Sequence, residues 1–224
     1  MNWSALLLSL RLSLITASVL LVIALPIAYW IAFSPRRWKF LVQATTALPL
    51  VMPPTVLGFY VLIAFGSSSP LGRFYQHWTG HTLAFTFTGL VVGSILYSIP
   101  FAVQPLVTSF QAIDPKLMQA SRGLGASRLG TFFRVVLPLS ISGWVTAIAL
   151  TFAHTFGEFG VVLMVGGDIP SVTRTISIDV SDKVEAGNYA AANTTSLVLL
   201  AVSFVILALV YAWNRRAWQR TPLV

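Results

Sequence analysis

The chain has 224 residues, 56% of them hydrophobic and only 9% charged, with a formal net charge of +8 and no cysteine. A soluble domain carries about 25% charged residues, so this composition excludes a water-soluble globule. The missing cysteines exclude a disulfide framework and any thiolate metal site.

No Asp, Glu, Lys or Arg occurs in 12–35, 40–72, 74–113, 135–157 or 186–214. Each window exceeds the ~20 residues that cross ~30 Å of hydrocarbon as a helix. The pattern predicts an all-α integral membrane protein, a single bundle of five transmembrane helices over 6–33, 41–66, 84–110, 133–164 and 194–214. No basic residue precedes the first apolar run, which is longer than the about 7–15 residues of a signal core, so no cleaved leader is expected.

Ten of the 14 Lys and Arg fall on one side of that bundle. Arg36, Arg37 and Lys39 follow the first span; Lys116, Arg122, Arg128 and Arg134 lie between the third and fourth; Arg215, Arg216 and Arg220 form the tail. The positive-inside bias predicts an outer amino terminus and a cytoplasmic carboxyl terminus. The basic excess is therefore a membrane address. A nucleic-acid partner would need the same charges gathered on one water-exposed surface, and none is expected.

Taken in chain order, the first candidate residue is Arg11, near the outer end of span one. Span two contains Pro49, Pro53 and Pro54, each of which removes a backbone donor and bends a helix. Broken backbone at membrane depth persists where it faces protein or a water-filled cavity. Pro53, Pro54 and the adjacent Thr55 are thus candidates for a gate or pathway, against a fixed packing kink. The connection 66–82 reads as a loop.

Asp114-Pro115 has the chemistry of a helix start, predicting a short helix from Pro115 to about Arg122, within a polar segment over 115–125. Gly123 and Gly125 supply the tight or left-handed conformations that end it, and Ser127 suits the cap of a second short helix. Composition alone allows two roles for this segment: an interfacial helix resting on headgroups, or a small-faced lever for a soluble partner. In span four, Glu158 stands four residues after His154, so the two are expected to share a helix face. Glu158 is expected to latch an outer gate by pairing with Arg11 or with backbone amides, or simply to bond interfacial water. The acids Asp168, Asp179, Asp182 and Glu185 gather in the 166–193 loop, either a solvated cap or a short helix folded back on the bundle. No phosphate-cradling GxxxxGK[ST] loop and no nucleophile or metal-ligand cluster can be assembled, so no catalytic site of its own is expected.

The polar segment resembles the EAA loop of ABC importer permeases. Gln119-Ala120-Ser121, then Gly125, Val135 and Leu137-Pro138 stand at the spacing of that pattern, with Gln for Glu, Ser for the second Ala and Val for Ile. The stretches "LPLVMPPTVLGFYVL" (48–62), "HTFGEFGVVLMVGGDIPSVTRTISIDV" (154–180) and "YAAA" (189–192) are similar to the permease subunit of molybdate importers. The resemblance implies a bundle with a cytoplasmic coupling helix, seated on an ATP-binding subunit present in two copies. It also implies a second permease copy as a homodimer and an extracytoplasmic oxyanion-binding protein. ATP and Mg would be bound by the partner, leaving no cofactor in this chain. Molybdate is the implied substrate, with sulfate or tungstate as alternatives. A motor-independent secondary transporter and a membrane scaffold are the remaining rivals. The former often shows repeated halves and midplane carboxylates, which are absent here; the latter leaves the span-two prolines unexplained.

Overall fold

The computed structural model describes residues 2–219, with backbone alone for 214–219. Arg220 lies outside the described residues. In chain order the helices are α1 (Trp3–Phe33), α2 (Lys39–Ala47), α3 (Pro54–Ala64), α4 (Pro70–Thr79), α5 (Phe87–Gln111) and α6 (Pro115–Gly123). They continue with α7 (Arg128–Thr131), α8 (Leu137–Leu139), α9 (Ile141–Gly157), α10 (Gly160–Gly166), α11 (Ile176–Glu185) and α12 (Tyr189–Gln219).

α1 starts where Asn2 Oδ1 accepts a hydrogen bond from the Ala5 amide at 3.2 Å. Leu12, Thr16, Leu20, Ala24, Ala28 and Ile31 recur at three- to four-residue intervals and are buried. Leu7, Leu14 and Val22 stay exposed, so one stripe meets protein and the rest meets lipid. α5 and α9 pack on that stripe and on each other. Small residues permit the approach: a Cβ on Gly143 would fall 2.9 Å from the Pro105 carbonyl oxygen. α12 packs on α9 and α11 and leaves Leu200, Phe204 and Leu209 exposed.

Among the described residues three helices are long and apolar enough to span the bilayer, Trp3–Phe33, Phe87–Gln111 and Tyr189–Trp213, and two bent pairs bring the number to five. The bent pairs correct two expected spans. The segment 41–66 is not one helix. Leu48–Leu50 tightens into a 3-10 turn, Pro53 takes ψ 134°, and α3 leaves at 109° to the preceding piece. The segment 133–164 is not one helix either. Phe132–Val136 is a π-helical turn, and the chain bends by 71° near Ser140. Pro138 has no amide to donate, and Ser140 Oγ donates to the Val136 carbonyl at 2.7 Å, beside the Ser140 amide that donates to the same oxygen at 3.1 Å. α9 then stops at Gly157, because Glu158 is extended with ψ 136°. His154 and Glu158 therefore do not share a helix face.

The expected loop 66–82 contains α4. Ser69 Oγ accepts from the Gly72 amide at 2.8 Å, Pro70 occupies the first turn, and Gly80 closes the helix at φ 78°. The 166–193 loop takes the folded-back form, since α11 buries Ile176 and Ile178. Ser9 Oγ of α1 accepts from the Ile176 amide at 2.8 Å, Lys183 pairs with Asp179, and Lys183 Nζ also donates to Thr195 Oγ1 of α12 at 2.8 Å. At the loop's rim Arg174 bonds Asp168 through a two-point contact. Burial, reinforced by the neighbouring Asp168 carboxylate, holds the Asp182 carboxyl above its ordinary range.

Candidate functional site

Two regions gather the residues singled out from sequence. The first is α6 with the turn after it. Asp114 Oδ1 accepts from the Lys116 amide at 2.8 Å and Pro115 opens the helix. Met118 packs against the main core cluster, and the Ser121 hydroxyl lies 3.1 Å from that of Thr131. These contacts fix one face. Gln119 and Ala120 are on the exposed face. Gly125 takes φ +84°, a conformation costing other residues roughly 1–2 kcal/mol. Gly123, expected to share that duty, is instead the last helical residue. Ser127 Oγ accepts from the Gly130 amide at 3.0 Å and starts α7. Leu137 and Pro138 form α8, where the chain re-enters the bundle.

Sequence reasoning overlooked Leu124, which ends this protrusion 90% exposed and is the most exposed of the large apolar side chains described. Leu117, one helical turn before Ser121, is also exposed. A leucine inside a polar, glycine-rich turn was the available signal. A small-faced, rigidly attached helix with apolar ends is suited to seat in another protein's groove.

The second region is the crossing of α3 and α10, which pack on one another. Gly58 and Gly160 set the spacing. A Cβ on Gly58 would meet Met164 Cβ at 2.7 Å, and one on Gly160 would meet Pro54 Cβ at 2.7 Å and the Thr55 nitrogen at 3.3 Å. Pro54 and Thr55 are thus brought against the segment that Glu158 begins, with Pro53 preceding them in the chain. Glu158 is buried at 6% exposure; Oε1 accepts from the Val161 amide at 2.7 Å and Oε2 from the Val162 amide at 3.1 Å. It caps α10 by accepting hydrogen bonds from two amides of the helix's first turn.

Arg11 is not drawn into this arrangement. Its Cζ lies 4.8 Å from the Phe87 ring centroid, and no ion pair joins it to Glu158 among the described residues. Of the two partners expected for Glu158, the amides are the ones present. Exchanging the charges (R11E with E158R) is therefore expected to leave transport no better than the worse single variant. Restored transport in the double variant would reveal a pairing this geometry lacks.

Below the crossing, Ser98 Oγ lies 2.9 Å from His154 Nδ1 and 3.0 Å from Thr155 Oγ1, and Phe101 stacks on the imidazole at 4.0 Å. Aromatic walls and hydroxyl partners account for His154 as a packed polar group. No group of three His, Cys, Asp or Glu that could hold a metal ion occurs among the described residues.

The fold has counterparts in known proteins. Residues 24–220 match the family described as binding-protein-dependent transport system inner membrane component. The chain belongs to that family. Among its relatives, the molybdenum transport system permease protein ModB of Azotobacter vinelandii is 47% identical over 212 residues, covering 95% of this chain and 94% of that one. ModB of Escherichia coli K12 is 32% identical, covering 96% and 94%. A sulfate transport system permease protein, CysT of Synechocystis, is 32% identical over 80% of this chain and 63% of its own length. In three dimensions a chain of the MetNI methionine ABC transporter, inward facing, superposes with a TM-score of 0.73 at 18% identity, covering 99% of this chain and 97% of that one. A chain of a bacterial alginate ABC transporter in complex with a periplasmic protein gives 0.71 at 17% identity, covering 98% and 80%. Membership in this transport family makes the chain a multi-pass membrane component of a transport system.

Proposed function

We propose that the chain is the membrane-spanning subunit of an ATP-driven importer that carries an oxyanion, molybdate, across the bacterial cytoplasmic membrane. The observation that carries the mechanical part is α6: a short helix fixed by Met118 and Ser121, with Gln119 and Ala120 left free beside Leu124. Its arginine-rich surroundings support a cytoplasmic position, with the amino terminus outside and the carboxyl terminus inside. ATP hydrolysis belongs to a cytoplasmic subunit seated on α6. One such helix per chain implies two permease copies for two ATPase subunits, with a homodimer enclosing the path. The folded-back α11 and the outer loops are the surface offered to an extracytoplasmic binding protein.

The cycle is alternating access. ATP binding draws the two α6 helices together, closing the inner gate while the outer gate opens beneath a loaded binding protein; hydrolysis resets it. Each ligand drives the cycle only by preferring one state. The crossing of α3 and α10, with Pro53, Pro54, Thr55 and Glu158, is the gate element of this reading.

Molybdate as cargo rests on the 47% identical relative, which is named a molybdenum transport system permease. Sulfate is the second reading, favoured by the 32% identical sulfate permease. Purification of the chain with its associated ATPase and binding protein, followed by competition among molybdate, tungstate and sulfate for uptake into proteoliposomes, tests both. Molybdate outcompeting the others supports the first reading, and sulfate preference the second. Uptake by the chain alone contradicts the ATP-driven mechanism.

A further inference from the structure

A cavity of about 780 Å3 opens between the end of α1, the turn after it, and the segment from α6 to the π-helical turn. We propose that it holds one anionic phospholipid of the cytoplasmic leaflet, its phosphate among Arg36, Arg122 and Arg128 and an acyl chain along the apolar wall below.

The headgroup end is built from positive charges that no carboxylate among the described residues neutralises. All three arginines are exposed, and among the described residues none of their guanidiniums has a hydrogen bond or ion pair. Arg36 Cζ lies 5.6 Å from the Trp38 ring centroid, and Trp38 packs on Trp30 at 4.8 Å, placing an indole pair at headgroup level. Arginine forks suit phosphate oxygens.

The wall decides which phosphate. Leu25, Pro26, Tyr29 and Phe33 line it on α1, facing Leu129 and Phe132. From Leu25 to Phe33 the wall follows eight helical residues, or ~12 Å at helical rise, before the chain turns extended at Ser34 and leads to Arg36. That length fits within the ~15 Å of hydrocarbon in one leaflet. A free phosphate or the transported oxyanion would use the arginines and leave the slot empty. A soluble ATPase subunit reaches the mouth but not a slot sunk in the bilayer. An acyl chain joined to a phosphate fits both ends.

The position has a consequence for coupling. Arg122 is on α6 and Arg128 opens α7, so a bound phosphate ties the lever to the end of α1. The inference depends on the orientation proposed above only for the choice of leaflet, and lipid retention is read without transport.

The test is native mass spectrometry of the assembled transporter, released from nanodiscs containing phosphatidylglycerol and phosphatidylcholine in equal amounts. The intact protein is expected to retain one phosphatidylglycerol per permease chain. The triple variant R36Q/R122Q/R128Q is expected to bind it roughly 100-fold more weakly, each arginine near the surface contributing about a factor of five. Leu129→Trp, a change at a 71% exposed position, fills the slot without removing charge and is expected to lose the lipid as well. Inorganic phosphate alone should give no matching rise in thermal stability. Equal retention of the two lipids, phosphate stabilising as well as lipid, or loss of the ATPase subunit with lipid retention unchanged would each overturn the assignment.

Discussion

Leu124→Asp is expected to detach the cytoplasmic ATPase from the permease, weakening their association about 30-fold or more and abolishing ATP-driven uptake. Leu124 stands 90% exposed at the end of α6, at the tip of a protrusion held rigid by Met118 and the Ser121–Thr131 contact. In a monomer such a side chain gains nothing from its position. Buried in a partner's groove it becomes an anchor, and anchors of this kind cost about 2 kcal/mol or more when lost, which is roughly a factor of 30 in affinity. Asp adds a charge that the groove would have to desolvate. The change leaves the permease fold intact because Leu124 touches none of the buried clusters. Co-purification of the two subunits from solubilised membrane, together with the thermal stability of the permease, checks both halves. Normal assembly of L124D with full uptake would remove Leu124 from the interface.

Glu158→Ala is expected to destabilise the α3–α10 crossing by about 2–4 kcal/mol and to impair transport strongly, with Glu158→Gln milder. The two amides capped by Glu158 are buried, and each loses its acceptor in the alanine variant. An unsatisfied buried donor costs about 1–3 kcal/mol, and loss of a helix cap about 1 kcal/mol. Glutamine keeps one carbonyl acceptor and so retains part of the cap. Gly160→Val attacks the same crossing sterically, since its Cβ would lie 2.7 Å from Pro54 Cβ. Overpacking there costs roughly 1–3 kcal/mol unless α3 shifts. Thermal melts in detergent and uptake rates should rank wild type, E158Q and E158A in that order. Equal behaviour of alanine and wild type would mean water replaces the carboxylate without loss.

These two regions differ in how far the sequence reveals them. Around α6 every signal is local: Asp114-Pro115 starts the helix, Gly125 takes the left-handed turn and Ser127 starts the next helix, each within a few residues of the group it serves. Capping chemistry is readable at that range. The break at Glu158 is hidden because hydropathy records composition and not direction. A window that stays apolar through Gly157 looks the same whether the helix continues or turns. Charge and depth offer Arg11 as a partner for Glu158, yet the carboxylate serves amides three and four residues ahead, those of Val161 and Val162. The "GEFG" flanks, with a carboxylate placed to cap the next helix, carry that information. α4 escapes a hydropathy reading for a similar reason: Ser69-Pro70 and Gly80 mark both of its ends, but its residues are too mixed to register as a span. In span two the prolines announce a break, and only the fold shows that it turns the chain by 109° and sets α3 against α10.

Single cysteines along α6, crosslinked in native membranes with the ATPase subunit present, test the central claim that this helix is the seat of a nucleotide-driven motor. Positions Gln119, Ala120 and Leu124 should crosslink to the ATPase, with yields that change between nucleotide-free and ATP-bound states, while Met118, turned into the core, should not. Crosslinking at none of the exposed positions, or labelling of those positions by a membrane-impermeant reagent from the outer side, would contradict it.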